Sequence, residues 1–107
     1  MERIEELNDL MIELIDTIGD TNKEFNKRAR EIIDEISDFA EKTPIVKKSK
    51  ERQTEAMKWI DQASAWNIYM HLLFKIVGAP TALHRYGAVL LIMPILRDKL
   101  REEGEQQ

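Results

Sequence analysis

Four basic side chains, His71, Lys75, His84 and Arg85, flank a Gly78-Ala79-Pro80 turn inside an otherwise apolar stretch, and here the sequence comes nearest to a binding site. If the segments meeting at this turn are helices folded back on each other, the cations gather at one end beside the free amides of the second helix. Such a cluster would hold a phosphate, a carboxylate or a lipid headgroup. The plainer alternative is that these residues solvate the end of a hairpin or pair with an acidic helix of a neighbouring subunit. As metal ligands the two histidines have little support, because the chain has no cysteine and no HExxH pattern. A di-metal helical bundle would need a glutamate three residues before a histidine, but Ile68 and Thr81 stand there. The acids Glu31, Asp34, Glu35, Asp38 and Glu41 recur at helical spacing and read as the solvated back of an apolar stripe.

A second basic run, Lys47, Lys48, Lys50 and Arg52, is a candidate contact for nucleic acid or anionic lipid. It is short, interrupted by Glu51 and without the interleaved aromatics of a single-strand binder. The net charge of -4 also argues against a general nucleic-acid coat, which needs a basic surplus against phosphates. No Ser-His-Asp order, glycine-rich phosphate loop or nucleophile elbow occurs, so neither catalysis, a cofactor nor a small-molecule substrate is expected. In architecture alone the layout resembles the helical chorismate mutases, which clamp a dicarboxylate with arginines on the inner face of a long first helix. The inner positions here are Ile4, Met11 and Ile18, and Arg28 near the stripe has no partner arginine.

The elements that carry these residues are helices. Apolar residues at a seven-residue spacing, Ile4, Met11, Ile18, Phe25, Ile32 and Phe39, with Leu7 and Leu14 between them, form one packing stripe over residues 2–42. Ala29 and Ile36 take over its second position later, as the drift of a straight helix requires. Gly19-Asp20-Thr21 carries a stop signal, and Thr21 with Glu24 fits a capping box for a new helix. The heptad phase nevertheless runs through, so one long helix is the favoured reading over a helix pair. Thr43-Pro44 opens a linker over 43–48. An apolar helix is expected over 49–77 and another over 81–103, kinked at Pro94. The fold class is therefore all-α, a single domain without a disulfide, ending in an apolar antiparallel hairpin.

That hairpin dominates the functional expectation. Between Gln62 and Leu96 only Lys75 and Arg85 are formally charged, and Tyr86 to Leu96 has no charged residue on any face. A helix apolar all round must be covered all round. A single long helix with one stripe cannot wrap two such helices. The expectation is thus a homo-oligomeric helical bundle, a virion, filament or complex subunit, sharing a core of Trp66, Tyr69, Met70, Leu73, Phe74, Val89, Leu90, Leu91, Ile92 and Ile95. The alternatives are a peripheral membrane protein that inserts the hairpin into one leaflet, since the apolar runs fall short of a span, and a regulator binding another protein through its N-terminal heptads. Met1-Glu2-Arg3-Ile4 lacks the start of a secretory signal, so an intracellular site, cytoplasm or virion, is expected, with the membrane periphery open.

Overall fold

Leu7, Met11, Leu14 and Ile18 recur by four, three and four residues, which places them on one side of a helix, and all four are buried. They belong to α1, Glu2–Ile18, in a computed structural model that describes residues 2–19, 24–43 and 58–105. Gly19 ends α1 with a φ of 66°, a left-handed conformation that glycine adopts without strain, and its amide donates to the Ile15 carbonyl at 2.9 Å.

The chain re-enters helix at α2, Lys27–Glu41. Asn26 caps it, its Oδ1 accepting from the Ala29 amide at 2.8 Å while its Nδ2 donates back to the Thr17 carbonyl at 3.4 Å. One side chain therefore starts the second helix and ties it to the end of the first. A two-pronged contact from Arg28 to Glu13, at 2.6 and 2.9 Å, fastens the pair. The continuous N-terminal helix expected from the heptads is corrected here to a helical hairpin. The phase survives the turn because both stripes face the same core, α1 through Leu7 to Ile18 and α2 through Ala29, Ile32, Ile33 and Ile36. Ile4, Phe25 and Phe39 of the expected stripe are half-buried.

A 3-10 turn, Lys58–Gln62, precedes α3, Ala65–Gly78. The helix expected over 49–77 is thus shorter: its first part lies outside the described residues, and α3 starts only where Ser64 accepts from the Asn67 amide at 3.2 Å. The last helix, α4, runs Ala82–Glu105 with Pro94 inside it. Glu103 near its end reaches back to the Ala65 amide at 2.8 Å, so α3 and α4 are antiparallel. α2 also lies antiparallel to α4: Asp34 approaches Arg101 at 3.6 Å, Asp38 approaches Arg97 at 3.7 Å, and Glu41 pairs with Arg97.

Two helices from the N-terminal segment supply what one could not. α2 packs along α4 and brings α1 behind it, so Tyr69, Leu72, Val89, Leu90, Ile92, Met93 and Leu96 are all buried within a single chain. The apolar hairpin is largely covered by its own N-terminal half.

Candidate interaction surface

The three most exposed large apolar residues among those described collect around the α3–α4 turn. Phe74 is 72 % exposed, Val77 85 % and Leu83 73 %, values that a core-forming side chain never shows. Phe74 and Val77 share one side of α3 at a spacing of three, and Leu83 stands in the first turn of α4, across Gly78-Ala79-Pro80. Thr81 starts α4 by accepting from the His84 amide at 3.2 Å, and its hydroxyl meets His84 Nδ1 at 2.6 Å. That reciprocal contact holds the His84 ring against the turn.

An open cleft of about 520 Å³ lies beside the turn, lined by His71, Phe74, Lys75, Ala79, Pro80 and His84 among others. Three of the four basic residues expected to gather thus come together. Arg85 does not join them and lines a different groove. His71 packs its ring edgewise on Trp59, centroids 4.6 Å apart, which brings the 3-10 turn onto α3. Burial, reinforced by Lys75, holds the His71 imidazole below its ordinary value and favours its neutral form.

The groove that Arg85 lines measures about 310 Å³ and runs between α1 and the α3–α4 end. Leu7, Asn8, Met11, Ile12 and Ile15 form one wall, and Ile76, Arg85, Tyr86 and Val89 form the other. Ile12 is 60 % exposed and Ile15 39 %, so α1 carries an outward apolar edge in addition to its buried stripe. Beside that edge stand the exposed acids Glu5, Asp9 and Asp16.

Of the ten residues expected at a subunit interface, Tyr69, Val89, Leu90 and Ile92 lie in the core of the chain, and Trp66, Met70, Leu73, Leu91 and Ile95 are half-buried against it. Trp66 and Tyr69 pack with Phe25, the three rings within 6.1 Å of one another. Phe74 alone is fully on the surface. The basic run Lys47, Lys48, Lys50 and Arg52 lies outside the described residues.

The acids of α2 do more than solvate its back. Arg97 is 6 % exposed and meets Asp38, Glu41 and its neighbour Asp98. The Glu41 hydrogen bond, partly opposed by burial and joined by Asp98, pushes the guanidinium above its ordinary value. The 34, 38, 41 spacing that places these acids on one face was visible in the sequence. What it lacked was a second helix to receive them. Ser37, on the same helix, is fully buried with its hydroxyl unpartnered among the described residues.

Among the described residues no three histidine, aspartate or glutamate side chains gather as metal ligands, and no helix is long and apolar enough to cross a membrane. No protein-family model matches the chain, and comparison with curated proteins and with solved structures gives no match either.

Proposed function

We propose that the chain is a self-associating structural subunit that acts by packing against copies of itself and catalyses nothing. The observation that carries this reading is the groove between α1 and the α3–α4 end. Its floor is apolar, Ile12 projects from one lip, and the lips differ in charge. Glu5, Asp9 and Asp16 stand along the α1 lip, whereas Arg85 stands on the other, in a stretch from Ala63 to Leu96 without a single acid.

Two copies placed groove to groove about a twofold axis would set the acidic lip of each against the basic lip of the other. Ile12 of each would enter the apolar floor opposite. Hydrophobic burial supplies the affinity in such an arrangement, and the charged lips select its orientation. This is narrower than a shared core built from the whole hairpin, because the hairpin's inner face is already used within the chain.

The test is light scattering coupled to size exclusion over a dilution series, on the wild type and on Ile12→Glu. Ile12 is mostly in water, so the substitution leaves the core intact, which far-ultraviolet circular dichroism would check. A wild-type dimer or larger species that Ile12→Glu converts to monomer is the expected result. A wild type that stays monomeric throughout, or an oligomer indifferent to Ile12→Glu, would sink the proposal.

A further inference from the structure

We infer that the α3–α4 turn is a docking surface for an anionic lipid membrane, separate from the α1 groove. The apolar component is Phe74, Val77 and Leu83, each more than two-thirds exposed. Folding gives no reason for this exposure, since the core closes without them. Three large apolar side chains held in water at one end of a small chain mark a surface that something else covers.

Charge identifies the cover. Lys75 lines the same cleft as Phe74, with His71 and His84 alongside, and no aspartate or glutamate occurs from Ala63 to Leu96. The chain as a whole is acidic, so this end is opposite in sign to the remainder of the molecule. A second copy meeting it end to end would bring cation against cation. A planar anionic surface accepts the same arrangement readily: projecting apolar side chains enter the acyl boundary while Lys75 extends its stem to the headgroups. No described helix is long and apolar enough to cross, so the contact involves one leaflet.

The experiment is vesicle flotation with phosphatidylcholine alone and with phosphatidylcholine containing phosphatidylserine. The wild type should float with the anionic vesicles and not with the neutral ones. Val77→Ser with Leu83→Ser should lower binding by more than about tenfold, since each side chain forfeits its transfer from water. Lys75→Gln should lower it about fivefold, the effect of one cation near an anionic surface. Ile12→Glu, which touches only the α1 groove, should keep the preference for anionic over neutral vesicles. All the substituted positions are exposed, so unchanged thermal unfolding would show that the fold is intact. Absence of flotation, equal flotation on neutral vesicles, or tip variants that bind like the wild type would each overturn the inference. So would a wild-type oligomer that binds no vesicle and dissociates on Val77→Ser with Leu83→Ser, because a second copy would then be the cover.

Discussion

Replacing Gly19 by alanine separates two folds by the sign of a stability change. In the structure Gly19 sits at a φ of 66° and turns the chain from α1 toward α2. A methyl group added there meets no atom within 4 Å, so the effect is conformational and not steric crowding. The left-handed region costs an L-residue about 1–2 kcal/mol. Alanine also has fewer unfolded conformations than glycine, which returns about 0.4–1 kcal/mol. The net expectation is a loss of about 0–1.6 kcal/mol, centred near 0.8, which is a fall of about 3–6 °C in the unfolding midpoint for a chain of this size. If residues 2–42 instead formed one continuous helix, the same substitution would replace a poor helix former by the best and stabilise by about 1 kcal/mol. Urea unfolding followed by circular dichroism measures the difference, read at unchanged denaturant slope. Gly19→Asn, which tolerates the left-handed region better, should lose less. An alanine variant more stable than the wild type by about 1 kcal/mol would refute the hairpin.

Two further outcomes follow from the polar contacts. Arg97→Met keeps much of the buried stem and removes the guanidinium; because Asp38 and Glu41 keep more than half their side-chain surface in water, no charge is sealed in. The loss should be about 1.5–3 kcal/mol, the value of hydrogen bonds to a charged group, and a urea midpoint unchanged from the wild type would show that the cluster does not hold α2 to α4. His71 titrates below its ordinary value in the folded state, so its contribution to stability is complete above about pH 6.5 and is lost as pH falls through the folded value. Between about pH 7.5 and 5.5 the wild type should therefore lose more stability than His71→Gln, and parallel curves would remove burial of His71 as the cause.

The helical class and the buried stripe were legible because both depend on local spacing: Leu7, Met11, Leu14, Ile18 and Ile32 are in the core that their periodicity implies. The path of the chain was less so. Gly19 carries a stop signal, but a heptad phase is preserved equally by one straight helix and by two helices facing a common core, and nothing local distinguishes them. From that ambiguity came the larger difference. A single amphipathic helix cannot cover an apolar hairpin, so Tyr69, Val89, Leu90 and Ile92 read as an interface, whereas two helices cover them within the chain. The late start of α3 has a similar origin: Ser64 continues a polar stripe in the sequence, and only its hydrogen bond to the Asn67 amide makes it a cap. Of the basic cluster, His71, Lys75 and His84 meet because the turn brings their helices together. Arg85 faces away because it is one residue further round α4 than His84.

The distribution of ion pairs bears on why the stretch from Ala63 to Leu96 holds no acid. Ion pairs between α2 and α4 reach the C-terminal part of α4, at Arg97 and Arg101, and draw on Asp34, Asp38 and Glu41. The opposite end of α4 is held differently, by Val89, Leu90, Ile92 and Met93 in the core. Stability therefore does not require Phe74, Val77 or Leu83 to be apolar, nor Lys75 to be a cation. Polar residues at those positions would leave the Arg97 cluster and the buried stripe untouched and would make the isolated chain more soluble. A sequence that retains exposed apolar side chains and segregates its acids away from them is organised around a contact that the single chain does not make. Groove and turn lie side by side, Ile76 and Arg85 lining the one and Lys75 and His84 the other, so a pair of chains joined through the grooves would hold its two turns in a defined relation. If both surfaces act together, pairing presents two lipid-docking turns at once, and vesicle affinity should rise with protein concentration as the dimer forms.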